Sequence, residues 1–233
     1  LYDFAAQHGV CLPSKIICDG RIRRFNPQNG KDRGSDSGWY IGHATAERQW
    51  VVVGDWAAGA GTNGKIGVWV SGGGRVDKTL SAEIEKKIRE AQKQEQKLYA
   101  EAREKSAKLW DQALPADAQN PYCVRKKITP YAARQLDING EPTLLIPVFD
   151  RDDTLVGLQK INETDGKKFI YGTRLGGSFC LLGTPQKTLL IAEGWATGCS
   201  LHESTGHAVY VAFNCGNLTE TARIARDKHP DAE

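Results

Sequence analysis

The order of apolar and polar residues predicts strands early in the chain and one long helix after them. Residues 1–80 contain aromatic and β-branched runs separated by turn residues, a pattern typical of strands. Residues 81–113 repeat apolar side chains at spacings of four and three, and pair Glu with Lys or Arg four residues later. We therefore predict a β-rich N-terminal region and a connecting helix with a solvated face, capped by Ser81. The predicted strands are Trp39–Ile41, Trp50–Val53 and Ile66–Val70.

The pattern changes again after Pro115, where strands and helices alternate. Residues 114–183 carry two apolar runs, Thr143–Asp150 and Thr154–Asn162, which predict adjacent strands joined by a turn and followed by a third strand. Residues 184–233 alternate between strand and helix patterns, which predicts a parallel sheet with covering helices. The predicted strands of this segment are 188–192 and 208–213, and its helices are 196–205 and 218–228. Together these segments indicate an α+β fold.

The composition narrows the class of protein without revealing its chemistry. Apolar residues make up 40% and charged residues 25% of the chain, which is typical of a soluble globular protein. A net charge of +3 is too small to indicate a nucleic-acid partner by itself. No apolar stretch approaches the roughly 20 residues of a membrane span, so we predict no membrane partner, and no signal segment opens the chain. The six cysteines lie far apart and form no CxxC pair, which favours reduced thiols and predicts a cytoplasmic protein.

Two motifs resemble binding sites but lack an essential part. Gly59–Lys65 fits most of the phosphate-binding string GxxxxGK, but Ile66 stands where magnesium binding needs a hydroxyl and a strand pattern follows. We interpret that motif as a Gly-rich hairpin loop. His8, Cys11 and Cys18 could supply three zinc ligands, but the sequence offers no obvious fourth ligand.

A single carboxylate stands at the end of a predicted buried strand. Glu193 follows an apolar run and precedes Gly194 and a helix-compatible segment, which places it at the carboxyl edge of the sheet, where open α/β sheets hold their chemistry. Asn214 and Asn217 follow the next parallel strand and would face the same crevice. Asn217 is also expected to cap the next helix. The alternative is a solvated Glu at a strand end, since one carboxylate is a poor magnesium site.

Basic side chains are interleaved with aromatic ones in the middle of the chain. This mixture suits the binding of single-stranded nucleic acid by charge and base stacking. The alternative is ordinary surface charge, because nearby Asp and Glu residues offset most of it. The basic residues are Arg125, Lys126, Lys127, Lys160, Lys167, Lys168 and Arg174, and the aromatic residues are Tyr122, Phe169 and Tyr171.

Three segments in a fixed order resemble the catalytic core of Toprim-type DNA primases of phages, plasmids and integrative elements, including prophages. The string "NPYCVRKKI" is similar to the YL-x-x-RGI element of that family, with Cys123 where Leu is usual and Lys127 where Gly is usual. The string "LLIPVFD…LVGLQ" resembles the basic lobe of the core, and "IAEGWATGCSL" resembles the first Toprim motif. The resemblance covers residues 109–233. It identifies 114–183 as the basic lobe and 184–233 as the first part of a Toprim domain.

The resemblance implies a role for each candidate site residue. Glu193 would be the catalytic residue and a metal ligand, which assists Mg²⁺- or Mn²⁺-dependent phosphodiester formation together with a DxD pair expected beyond Glu233. We therefore expect the chain to be a fragment that binds no metal ion and makes no primer alone. Residues that would bind template or nucleotide are Arg125, Lys126, Lys127, Lys160, Lys168, Arg174, Asn214 and Asn217.

The expected function of the intact protein is nucleotidyl transfer, the synthesis of RNA primers from ribonucleotides on a single-stranded DNA template. A replicative helicase domain or protein would be a further partner. Two alternatives stay open, a Toprim nuclease or topoisomerase and a non-catalytic single-stranded-DNA-binding module of a replication protein. The role of residues 1–80 and the initiation sequence are not predicted.

Overall fold

A computed structural model describes most of the chain as two compact units, Leu1–Gln96 and Lys97–Glu233. The Gly-rich loop predicted at residues 59–64 lies outside the described residues. The structure describes residues 1–27, 38–46, 48–55, 65–73, 76, 78–163 and 166–233.

The first unit contains a four-stranded antiparallel sheet in which every strand pairs with its neighbour in sequence. Side chains of the two central strands alternate between two apolar clusters. Trp39 and Trp50 pack on one face, and Tyr40 and Val51 pack on the other. The predicted strands are therefore confirmed, and the two central ones are buried on both sides. The elements are helix α1 (Tyr2–Gln7) and strands β1 (Arg23–Phe25), β2 (Gly38–Ala44), β3 (Gln49–Asp55) and β4 (Lys65–Val70).

A single long helix, α2 (Lys78–Gln112), supplies apolar residues to the cores of both units. Leu80 and Ile84 pack in the cluster with Trp39, and Ala102 packs in a cluster of the second unit. The helix begins three residues before Ser81, so the prediction that Ser81 caps it is wrong. The reason is Leu80, whose buried side chain belongs to the apolar face of the helix and draws the first turn into the core.

The second unit begins with a five-stranded antiparallel sheet in the order β5-β6-β7-β8-β9. Leu144 and Ile161 face one core cluster, whereas Leu145 and Leu158 face the cluster that contains Ala102 of α2. This sheet contains the predicted strand pair and its third strand. The elements are β5 (Leu114–Pro115), helix α3 (Pro121–Lys126), β6 (Arg134–Ile138), β7 (Glu141–Phe149), β8 (Leu155–Asn162) and β9 (Gly166–Phe169).

The last part of the chain forms a three-stranded sheet with two helices, in the order β10-β12-β11. The predicted parallel pairing holds for β11 and β12, whereas β10 runs antiparallel to β12. The backbone of Glu233 hydrogen-bonds to the backbone of Lys187 and Leu189 at the start of β11. The elements are β10 (Cys180–Leu182), β11 (Leu189–Ala192), helix α4 (Trp195–Thr205), β12 (Ala208–Val211) and helix α5 (Leu218–Lys228).

Candidate functional site

Glu193 lies in the short connection between strand β11 and helix α4. The backbone N–H of Ala212 donates to the carbonyl of Ala192 over 2.8 Å, so the parallel strands β11 and β12 end at the same level. Glu193 and Asn214 therefore follow adjacent strands at one sheet edge, hereafter the carboxyl edge. The Glu193 side chain is exposed to solvent, and Asn214 is half-buried. The structure thus brings together the carboxylate and one of the two amides expected there.

Trp195 holds the backbone beside Glu193 in place. Its side chain is 1% exposed, and its indole N–H donates to the carbonyl of Tyr131 over 3.0 Å. The ring also stacks on Tyr122, with 6.4 Å between ring centroids. Since Ala192 is buried on the other side, the exposed carboxylate stands between two anchored neighbours. Sequence reasoning missed this role, although a Trp at the start of a helix of small residues was a usable signal.

Asn217 is buried and joins the chain before β10 to the carboxyl edge. Its Oδ1 accepts a hydrogen bond from the Gly177 N–H, and its Nδ2 donates to the carbonyls of Ser178 and Ala212. The amide makes no capping bond to α5, so the prediction that its side chain caps that helix is wrong. The amide is engaged by the backbone of two other segments instead. Asn217 is 4% exposed and supports this edge from inside.

The basic residues do not form one cluster, because they lie on both faces of the five-stranded sheet. Lys160 pairs with Lys168 across β8 and β9, and also lies opposite Leu145, whose side chain faces the α2 side. Lys167 lies opposite Ile161, which faces the other side. Directly paired residues point to the same face of a sheet. Lys160 and Lys168 therefore share the α2 side, and Lys167 lies on the opposite face.

Helix α3 presents its basic residues beside Lys167. The Arg125 guanidinium lies 2.8 Å from the Glu163 carboxylate and 5.4 Å from the Tyr122 ring, and the Lys167 ammonium lies 5.7 Å from that ring. Lys126 and Lys127 are exposed at the end of the helix. Lys127 has a φ of 53°, a left-handed conformation that favours glycine.

The acidic residues that could offset the basic charge lie at both ends of strand β8. Asp150, Asp152 and Asp153 precede the strand, whereas Glu163 follows it and pairs with Arg125 over 2.8 Å. Asp165, the remaining one, lies outside the described residues. Asp150 holds the turn before this strand by accepting hydrogen bonds from the N–H groups of Asp152 and Thr154. Asp153 pairs with Lys228 of α5 over 2.6 Å. At roughly 3.3 Å per residue, this turn lies about 20 Å along the strand from Lys160. Since the Debye length is about 8 Å at physiological ionic strength, the carboxylates of this turn do little to offset the charge of Lys160, whereas Glu163 does offset the charge of Arg125.

The three aromatic residues of the middle region have different surroundings. Tyr122 is 4% exposed, so its ring belongs to the core. Phe169 of β9 packs edge-on against Phe213, with 5.6 Å between ring centroids, and Phe213 lies two residues after the end of β12. This contact holds the β8–β9 hairpin against the carboxyl edge. Tyr171 is 79% exposed.

The described residues contain no complete metal site. No group of three or more His, Cys, Asp or Glu side chains lies close enough together in them to hold a metal ion. The suggested set of His8, Cys11 and Cys18 does not assemble, and Glu193 is a single carboxylate. Since a magnesium ion needs several oxygen ligands, these residues alone do not fit one. Within the same residues, no helix is long and apolar enough to cross a membrane.

The cysteines near the carboxyl edge are core residues rather than nucleophiles. Burial raises the pKa of the Cys199 thiol to about 12, and burial together with Asp117 raises the pKa of Cys123 to about 11. Burial likewise raises the pKa of Cys180 far above its usual range. All three thiols are therefore neutral at pH 7, where only a thiolate would be reactive.

The chain is similar in sequence to two Escherichia coli proteins named DNA primase TraC, at 27% and 28% identity. Each alignment covers 92% of this chain but only 20% and 15% of the respective relatives. The chain thus spans a fifth or less of the length of these relatives. No family model and no solved structure matches it.

Proposed function

We propose that this chain is part of a DNA primase, the segment that carries a catalytic carboxylate and contacts for single-stranded DNA and ribonucleotides. The sequence similarity to two proteins named as primases extends over 92% of the chain. The observation that carries the proposal is the carboxyl edge, where exposed Glu193 stands beside the end of β12 and Phe169 holds a basic hairpin against that edge. A Toprim-type fold is part of the same proposal.

Glu193 is the catalytic residue in this proposal. Its carboxylate accepts the proton of an attacking 3′-hydroxyl or provides one oxygen ligand to a divalent ion, and its anchored neighbours keep it at a constant position. Magnesium or manganese would neutralise nucleotide phosphates in the longer protein. The described residues supply only this one carboxylate, so the other ligands have to come from elsewhere.

The basic side chains supply the contacts to phosphate. Lys167 and Arg125 stand on the sheet face that carries Tyr122, and Tyr122 stacks on Trp195 at the start of α4. In our proposal these two cations and neighbouring Lys126 guide nucleotide phosphates toward Glu193. Lys160 and Lys168, on the α2 side, contact the template strand. Lys167 is thus added to the proposed nucleotide contacts, and Lys168 stays a proposed template contact.

The test is primer synthesis by the longer protein that contains this segment, on single-stranded template with magnesium. The substitution Glu193→Gln removes the charge and keeps the shape, and we expect synthesis to fall by about 10²–10⁴-fold, the usual contribution of a general base. The matched control is Glu203→Gln, at the far end of the same helix, where Gln can still accept the hydrogen bond from Thr129. Both variants should melt at the same temperature as wild type. Primer synthesis at wild-type rate in Glu193→Gln would remove the carboxylate from the mechanism.

A second candidate is a non-catalytic module that binds single-stranded DNA within a replication protein. It is favoured by the incomplete donor set at Glu193 and by the exposed Tyr171 among basic residues. The same experiment separates the two candidates. If the chain is a non-catalytic module, the Glu193→Gln variant should make primers at the wild-type rate. The Lys160→Ala and Lys168→Ala variants should bind single-stranded DNA more weakly.

A further inference from the structure

Among the described residues, Tyr171 is the large apolar residue with the highest solvent exposure. It is 79% exposed, compared with 73% for Leu114 and 55% for Val124. Its phenol ring stacks on no other aromatic ring of the described residues, whereas Phe169 packs on Phe213 and Tyr122 is buried. Of the three aromatic residues interleaved with basic ones, only Tyr171 therefore presents a ring face to a partner.

The turn that carries Tyr171 is anchored on both sides. The Ile170 N–H donates to the carbonyl of Leu158, and the Ile170 side chain is buried. The N–H and the hydroxyl of Thr173 both donate to the Ile170 carbonyl, over 3.0 and 2.7 Å, which closes a four-residue turn. An exposed ring on a rigid turn loses little conformational entropy when it binds a partner.

Gly172 makes this turn possible in two ways. Its φ of 87° lies in the left-handed region that glycine adopts without strain. A Cβ at this position would also lie 2.7 Å from the Leu98 side chain and carbonyl, so only glycine lets the turn approach helix α2 this closely. Tyr171 thus stands next to the point where the chain meets α2, and its side chain is exposed to solvent.

Basic residues flank Tyr171 on both sides in the sequence. Lys168 lies three residues before Tyr171 and Arg174 three residues after it, and Lys160 stands opposite Lys168 in the neighbouring strand. Arg174 is exposed, and the Thr173 side chain beside it packs close to Gly157, near the start of β8. A ring face between cations has the chemistry that binds a single nucleic-acid strand, in which phosphates meet charge and an unpaired base meets the ring.

We propose that Tyr171 stacks on an unpaired base of single-stranded DNA, while Lys168 and Arg174 contact the adjacent phosphates. This inference rests on the proposed function and assigns a template contact within it. The alternative is a protein partner, which would pack on the Tyr171 ring and would require no unpaired base. A single strand is favoured because the ring is flanked by cations rather than by further exposed apolar side chains.

The test measures binding of a fluorescein-labelled oligothymidylate to this chain by fluorescence anisotropy at several salt concentrations. We expect Tyr171→Ala to weaken binding by about 5- to 100-fold, since one base stacked on an aromatic ring contributes about 1–3 kcal/mol. Tyr171→Phe keeps the ring and should bind within about twofold of wild type. Leu114→Ala is the matched control, because it also removes a highly exposed apolar side chain from the same unit.

The salt dependence separates stacking from charge. Arg174→Ala should lower the slope of log affinity against log salt by about 0.7, the value for one phosphate contact on a single strand. Tyr171→Ala should leave that slope unchanged. Duplex DNA should bind Tyr171→Ala and wild type equally, because its bases are already stacked.

Three results would overturn the inference, and they are distinguishable. If wild type binds the oligonucleotide and Tyr171→Ala binds it equally well, the stacking contact is wrong and the proposed function stands. If wild type does not bind the oligonucleotide at all, both the stacking contact and the single-strand part of the proposed function are wrong. An equal loss in Tyr171→Phe and Tyr171→Ala would also reject stacking, since it would assign the contact to the hydroxyl group.

Discussion

Both polar atoms of the Asn217 side-chain amide form hydrogen bonds inside the protein. One side chain joins three backbone groups from two segments, the chain before β10 and the end of β12. The amide therefore sets the spacing between the loop that carries Arg174 and the edge that carries Glu193. This role differs from the capping role that Asn most often has before a helix.

Replacing Asn217 with Ala should destabilise the second unit by about 2–4 kcal/mol, because three backbone groups lose their partner at a buried site. Urea unfolding followed by tryptophan fluorescence measures this change as a lower midpoint. Asn214→Ala is the control, since Asn214 is half-buried and makes no side-chain cap. Equal midpoints for the two variants would contradict the structural role of Asn217.

At the scale of elements, the strand register of the β8–β9 hairpin determines which basic side chains lie on the same face of the sheet. Residues on neighbouring positions of a strand point to opposite faces, so Lys167 and Lys168 belong to different surfaces although they are adjacent in sequence. The turn after β9 then returns to helix α2, where Gly172 meets Leu98. The hairpin thus presents one basic face toward α3 and another toward α2.

Gly172→Ala should destabilise the second unit by about 2–4 kcal/mol, since it combines backbone strain with a clash against Leu98. Gly140→Ala is a matched control, because Gly140 has a similar φ of 80° but no neighbour within 4 Å. The Gly140→Ala variant should be destabilised only by its backbone strain, by about 1 kcal/mol. Chemical denaturation of both variants measures the difference. Equal losses would show that the contact with α2 contributes nothing.

At the scale of the whole molecule, the second unit is held together by a core to which several elements contribute. Cys123 comes from α3, Cys180 from β10 and Cys199 from α4, and all three lie in one buried cluster. Their thiols reach solvent only when these elements separate. The titration of the cysteines therefore reports on the unfolding of this unit.

We expect the second unit to lose stability at alkaline pH. Cys123 and Cys199 have pKa values of about 11 and 12 in the folded state, above the value of an exposed thiol, so the unfolded chain releases protons first. The stabilisation is complete below the unfolded pKa of about 8.5 and is lost as pH rises toward these folded values, by up to about 1.4 kcal/mol per thiol and pH unit. Urea unfolding between pH 7 and 10 measures this loss.

The control uses the exposed cysteines. Cys199→Ala should reduce the slope of unfolding free energy against pH, whereas Cys11→Ala and Cys215→Ala should leave it unchanged. A slope that is the same in all three variants would contradict the assignment to buried thiols.

Much of the local structure was predictable because it depends on nearby residues. The alternation of strands and helices after Gly183, the long helix and the turn at Asp150 follow from periodicity and turn chemistry, and the structure contains each of them. The start of α2 and the role of Asn217 were predicted wrongly. Both depend on partners far along the chain, Trp39 for Leu80 and Gly177 for Asn217, which local patterns do not reveal.

The sequence by itself determined that Glu193 follows a buried strand and that aromatic and basic residues are interleaved in the middle of the chain. Only the tertiary structure decided which of these residues meet. Strand pairing divided the lysines between two faces, and packing buried Tyr122 while leaving Tyr171 exposed. The physical reason is that the register between strands and the contacts of a ring depend on residues distant in sequence. The order of residue types therefore determines which helices, strands and binding side chains a segment can provide. The fold determines which of these side chains lie on the same surface.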